Sequence, residues 1–277
     1  MIPLGPKEAF LKRVTETLEE ANGKTALFPT GRMALYGSSA VLCLFSLSLK
    51  DPGAKEEICF LFNKRSRWVR QAGDLCFPGG GIAHRFDPVA ARFLGLPFFP
   101  LGRWPYWQDW KKHRPLEARH LALLLATALR EGTEEMRLNP LRIRFLGPLP
   151  PQSLLSFQRL LYPMAAWIGR QRRFFPNREV EKVVAIPVKD LLTPEKYVRY
   201  RMRFASYVNG EEAVQDFPGF LHEEKDDHEV LWGVTYRIVI ELLEVLFDFR
   251  PPKMEGLRLV EGSRDANYLG SPTGKGR

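Results

Sequence analysis

Apolar residues recur at helical spacing near the start of the chain: Phe10, Leu11, Val14 and Leu18 share one face of a helix expected over 7–21. Asn22-Gly23 follows as a stop signal. The pattern then changes. Ser39 to Leu49 is a strand-like apolar run, Asp51-Pro52-Gly53 reads as a turn, and Glu57 to Phe62 is a second strand-like run suited to antiparallel pairing with the first. Leu121 to Met136 reads as a helix with an apolar, buried N-terminal half, ended by Asn139-Pro140. Strands are expected from Ile143 to Leu146, Tyr162 to Ile168 and Val183 to Val188, with Leu191-Leu192 after the last. Arg199 to Tyr207 alternates and should pair with Gln215 to Phe220 through a turn near Gly210. A long helix is expected to open at His228 and end near Phe247. Past Pro251-Pro252 the tail is rich in Gly, Ser and charge, and is expected to be flexible.

Length and charge narrow the picture moderately. A chain of 277 residues holds one large domain or two small ones. The net charge of +9 suits an anionic partner. Basic residues are scattered, apart from a local run at Arg170, Arg172 and Arg173, so a phosphate-bearing small molecule ranks above nucleic acid. Cys43, Cys59 and Cys76 lack metal-site spacing and sit in apolar stretches, which fits small core residues in a reducing compartment. No secretory leader pattern is visible, and the longest apolar run is too short to span a bilayer. A cytoplasmic protein without membrane contact is expected.

The candidate chemistry lies in Arg130-Glu131-Gly132-Thr133-Glu134-Glu135. On a helix, residues three and four apart share a face, so Glu131, Glu134 and Glu135 project together and Arg130 reaches Glu134. Such hard oxygen ligands suit Mg2+ or Mn2+. Upstream stand Arg65-Ser66, Arg70, Gly73 and Phe77-Pro78-Gly79-Gly80. Arg65 and Arg70 offer guanidinium groups for forked contacts to phosphate. Gly79 and Gly80 allow close backbone approach, and a loop carbonyl there could ligate the metal.

Together these residues resemble the Nudix box, whose pattern is a Gly, five residues, a Glu, seven residues, then Arg-Glu-apolar-x-Glu-Glu-x-Gly-apolar. Arg130, Glu131, Glu134, Glu135 and Leu138 match. Gly132 and Arg137 depart, standing where an apolar residue and a Gly are usual. The first box Glu has no clear counterpart: eight residues back from Arg130 is Ala122, and Glu117 lies further upstream. The segment around Arg65, Ser66, Arg70, Gly73 and Phe77-Pro78-Gly79-Gly80 resembles the coenzyme A pyrophosphatase branch of that family. It has Asn63 in place of a usual Thr, a gap one residue short before Gly73, and Gln71-Ala72 where a His is common. Leu231, Trp232, Gly233 and Thr235 match a later helix start of the same branch.

Arg130 follows Gly80 by 50 residues rather than the pattern's 14, so roughly 35 residues are inserted. The insert, about 82–117, alternates Phe93, Phe98, Phe99, Trp104, Tyr106, Trp107 and Trp110 with prolines and basic residues. It is too aromatic for a disordered linker, and suits a lid, an interface such as that of a homodimer, a base-stacking surface or a packed decoration.

The resemblance implies an α/β fold, the Nudix α/β/α sandwich with a mixed β-sheet. It would span 39–250, with 1–38 as a helical extension and 251–277 as the tail. It implies a Mg2+- or Mn2+-dependent hydrolase cleaving the pyrophosphate of coenzyme A or an acyl form to 3',5'-ADP and a 4'-phosphopantetheine product. Arg130, Glu131, Glu134 and Glu135 would be catalytic; Glu131, Glu134, Glu135 and the Gly80 carbonyl would hold metal; Arg65, Arg70, Gly79 and Gly80 would bind substrate. ADP-ribose, a dinucleotide or another nucleoside phosphate derivative is an alternative substrate, and a non-catalytic nucleotide- or protein-binding module a further alternative. The acidic group Glu223, Glu224, Asp226, Asp227 and Glu229 reads as a solvated run that could supply one more ligand or base, with His222 and His228 as surface residues.

Overall fold

The computed structural model describes residues 4–23, 27–28, 35, 37–48, 57–154, 159–169, 171–208, 211–224 and 227–264. The expected turns at Asp51-Pro52-Gly53 and Gly210, together with Arg170, Asp226 and the last 13 residues, lie outside them.

In chain order the elements are α1 (Lys7–Asn22), β1 (Ser39–Leu47), β2 (Ile58–Arg65), β3 (Leu75–Cys76), β4 (Gly79–Gly81), α2 (Asp87–Leu94), α3 (Trp107–His113) and α4 (Pro115–Met136). Then come β5 (Ile143–Pro148), β6 (Gln152–Leu154), β7 (Arg159–Ile168), β8 (Val180–Pro187), α5 (Val188–Leu191), β9 (Tyr197–Val208), β10 (Glu211–Glu224), β11 (Asp227–Trp232), α6 (Gly233–Phe247) and β12 (Leu259–Arg264).

The α/β class and the mixed sheet expected from sequence are present. In the main sheet β1 runs parallel to β7 and antiparallel to β2 and β4. The apolar run of β1 is continuous because both faces of this central strand are covered. Val41, Cys43 and Phe45 enter a core with α1 and α6, whereas Ala40, Leu42 and Leu44 enter a second core with α4. Helices therefore lie on both faces, and α4 carries the candidate site on one of them. The helix of the N-terminal extension is part of the packing: Phe10, Leu11, Val14 and Leu18 are all buried in the first core.

Two expectations are corrected. Residues from His228 to Trp232 do not begin a helix. They form β11, paired with β10 so that Val230 faces Leu221 and Leu231 faces Phe220, and α6 starts at Gly233. The tail is not wholly loose: β12 runs parallel to β9, with Val260 beside Tyr200. β9 and β10 do pair as expected, but together with β11 and β12 they make a separate four-stranded sheet.

The insert is folded. α2 packs on α4, and Trp104, Trp107 and Trp110 are buried in the second core. Trp104 meets Trp110 and Phe145 edge to face, and Trp110 Nε1 donates to Glu19 of α1 at 2.9 Å.

Candidate active site

The site begins where β4 lies against β1. Val41 pairs with Gly79, Ala40 with Gly80 and Ser39 with Gly81. A Cβ on Gly79 would strike the Ala40 carbonyl, and one on Gly80 would strike the Glu131 carboxylate. The glycines are thus required by approach, of backbone in one case and of a carboxylate in the other. Gly132 also has a packing reason: Leu138 and Leu42 occupy the space an apolar side chain would need. Arg137 caps α4 in the left-handed conformation (φ 56°, ψ 40°), which explains why a Gly is usual there.

The three glutamates sit in different surroundings. Glu135 is buried; Asn63 Nδ2 donates to its Oε2 at 2.8 Å, and the Gly79 main-chain N–H donates to it as well. Burial and the neighbouring Glu131 push its carboxyl up to about 8, against the opposing pull of Gly79, Arg65 and Asn63. Glu131 is also raised, chiefly by burial, and Arg130 Nη2 lies 3.0 Å from its Oε1. Glu134 is exposed and receives Arg130 Nη1 at 3.0 Å, the expected i to i+4 pair. Among the described residues, no three Asp, Glu, His or Cys side chains converge closely enough to hold a metal as they stand. Glu131 and Glu135 form a desolvated pair of like charges, and Glu134 is turned to Arg130. Hard oxygen donors under mutual repulsion in partial burial fit a divalent cation, which would discharge that repulsion.

A residue that sequence reasoning missed completes the arrangement. Asp87, fully buried at the start of α2, accepts from Arg130 Nε at 2.8 Å, from Thr127 Oγ1 at 2.8 Å and from the Ala83 N–H at 2.7 Å. Arg130 also donates to the Gly81 carbonyl at 2.8 Å. The guanidinium therefore ties together the glycine strand, Asp87 and two of the glutamates. Six residues separate Asp87 from Gly80, one more than the box pattern places before its first acid. Counting back from Arg130 to Ala122 fails because the insert falls between Asp87 and Arg130. Counting forward from Gly80 lands on Phe86, one residue short of it.

Arg65 stands at the end of β2 on the Glu135 side of the sheet. Its Nε donates to the Arg70 carbonyl at 2.7 Å and its Nη1 meets Cys76 Sγ at 3.9 Å, so part of its donor set shapes the 65–76 loop. Arg70 is exposed on that loop. The shortened segment after it turns through left-handed conformations at Gln71 (φ 57°) and Gly73 (φ 81°).

The second acidic group is built differently. Glu229 is buried and lies 2.9 Å from Lys64 Nζ and 2.8 Å from Lys182 Nζ, and Lys182 also pairs with Asp227. His222 is buried rather than on the surface, whereas His228 is exposed. Lys182, His222, Asp227 and Glu229 line a cavity of about 390 Å³ that no residue of the box helix lines.

No family model matches the chain. Over 126 residues it is 28% identical to a protein of Pectobacterium atrosepticum described as an uncharacterized Nudix hydrolase, NudL; the match covers 43% of this chain and 57% of that one. The chain thus spans little more than half the length of that relative. Among solved structures, a Nudix hydrolase from Alicyclobacillus acidocaldarius aligns at 16% identity with a TM-score of 0.36, covering 58% of this chain and 83% of the other. A MutT/Nudix family protein from Enterococcus faecalis aligns at 11% identity with a TM-score of 0.34, covering 88% and 81%.

Proposed function

We propose that this chain is a Nudix pyrophosphohydrolase that uses Mg2+ or Mn2+ and cleaves coenzyme A or an acyl-coenzyme A. The single observation that carries the hydrolase reading is the brace around Arg130, which fixes Glu131 and Glu134 on α4 against the glycine strand while Asn63 and the Gly79 N–H hold Glu135. The coenzyme A reading rests on Arg65, Ser66, Arg70, Gly73 and Phe77-Pro78-Gly79-Gly80.

In this reading Glu131, Glu134 and Glu135, with the Gly80 carbonyl, hold the cation. When bound, it shields the pyrophosphate charge and makes water more acidic. The protein's own part is positional. Asp87 keeps Arg130 from swinging away, and Arg130 orients the two carboxylates beside it. Arg65 and Arg70 bind phosphate oxygens, and Arg70 lies where the exposed loop could meet a 3'-phosphate. Glu134 or Glu135 accepts the proton of the attacking water. The water oxygen adds to one phosphorus in line with the bridging oxygen, the P–O bond of the bridge breaks, and the leaving phosphate departs as part of 3',5'-ADP or of 4'-phosphopantetheine. Residues 39–250 constitute the hydrolase domain.

The test is hydrolysis of coenzyme A, acetyl-coenzyme A, dephospho-coenzyme A, ADP-ribose, NADH and a dinucleoside polyphosphate with Mg2+ or Mn2+, read by mass spectrometry beside Glu135→Gln. Wild type alone should release 3',5'-ADP from coenzyme A or acetyl-coenzyme A and act poorly on the other members. Preference for ADP-ribose or a dinucleotide would keep the chemistry and replace the substrate. No cleavage by folded, metal-supplied protein would make the chain a binding module.

A further inference from the structure

The insert has a second face that the site does not use. α2 is amphipathic: Asp87, Ala91 and Leu94 turn inward, while Phe86, Val89, Ala90 and Phe93 recur at i, i+3, i+4 and i+7 on the outside. Phe86 is 71% exposed and Phe98, just beyond the helix, is 79% exposed; Val89, Phe93 and Leu96 are about half exposed. Large apolar side chains grouped in water in this way mark an interaction surface. Trp104, Trp107 and Trp110 of the same insert are buried in the second core and Phe99 and Tyr106 pack against it, whereas Phe86, Phe93 and Phe98 stay outside.

Charge decides the occupant. From 82 to 105 the chain has one acid, Asp87, and it is buried against Arg130. Arg85 and Arg92 are exposed beside the phenylalanines. A two-fold dimer through this face would set a basic surface against its own copy. A surface that is anionic outside and apolar beneath satisfies both components at once.

We infer that the outer face of α2 and the turn after it dock on an anionic phospholipid bilayer. Phe86, Phe93 and Phe98 enter the headgroup region, and Arg85 and Arg92 meet lipid phosphates. The net charge of +9 acts in the same direction. Among the described residues no helix is long and apolar enough to cross a membrane, and peripheral docking needs none. Because Asp87 lies on the inner side of the same helix, docking would bring the box helix close to the lipid surface.

The experiment is flotation of the full chain with phosphatidylcholine vesicles, with and without phosphatidylglycerol. Wild type should float only with the anionic vesicles, and added salt should weaken it. A Phe86→Ser/Phe93→Ser/Phe98→Ser variant with an unchanged circular dichroism spectrum should partition about tenfold less. Phe98→Ser alone, at the most exposed position, should shift binding the same way and guards against misfolding of the triple variant. Arg85→Glu/Arg92→Glu should remove the preference for phosphatidylglycerol. Absence of wild-type flotation would overturn the inference. So would serine variants that float like wild type, which would assign binding to net charge alone. A wild-type dimer that the serine changes convert to monomer in sedimentation velocity would give the face to a second copy instead.

Discussion

Two acidic clusters look alike in sequence and differ in charge balance. At β11, Lys64 and Lys182 both reach Glu229, and Lys182 also holds Asp227. Lys182 stays charged well above its ordinary range, since those two acids outweigh its desolvation. That cluster is neutralised within the protein. On α4, one guanidinium is shared among Asp87, Glu131 and Glu134, and Glu135 is left to Asn63, an amide and the more distant Arg65. Burial then raises both Glu131 and Glu135. In the proposed reading, the number of carboxylates does not distinguish a metal-ready group from a structural ion pair. The positive charge already supplied to them does.

The comparison can be broken most sharply by neutralising one acid in each cluster. Glu135→Gln should lower hydrolysis by roughly 100- to 1000-fold in a steady-state assay. Glu229→Gln should leave the rate within about twofold, yet cost about 2 kcal/mol in urea unfolding. That cost is below the range for a fully buried pair because Lys64 and Lys182 reach solvent. The reverse pattern would exchange the roles of the clusters.

Removing the brace should have a smaller effect. Asp87→Ala frees Arg130 and leaves the Thr127 hydroxyl and Ala83 N–H without their acceptor, so kcat should fall by roughly 10- to 100-fold and the melting temperature should drop. Asn63→Ala removes one of the groups that hold Glu135 and should weaken Mn2+ binding by about tenfold, measured by calorimetry. The smallest change expected is a gain. Arg137→Gly relieves a left-handed non-glycine cap and should stabilise the chain by about 0.5 kcal/mol in urea, with the rate unchanged.

Much of the main sheet was legible because its strands carry long apolar runs, and α4 because its apolar stripe leads directly into the charged motif. β11 was not: Val230-Leu231-Trp232 is short and only Gly233 separates it from the apolar stretch of α6, so the two were read as one helix. Only the pairing with β10 separates them. β12 was missed because Leu259 and Val260 are flanked by charge and glycine, and its order comes from the neighbouring strand β9. Within the site, Glu131, Glu134, Glu135 and Arg130 could be read from helical spacing. Asp87 was hidden by the insert, and the part of Asn63 by its distance of 72 residues from Glu135. Both act through contacts made only after the sheet and α4 come together.

The central claim is that the under-neutralised cluster on α4 takes up the cation. Mn2+ titrated into wild type, Glu135→Gln and Glu229→Gln, with free ion followed by electron paramagnetic resonance, tests it directly. The account predicts that wild type and Glu229→Gln deplete the free-ion signal alike and that Glu135→Gln does not. Equal binding by wild type and Glu135→Gln, or loss only in Glu229→Gln, would contradict it.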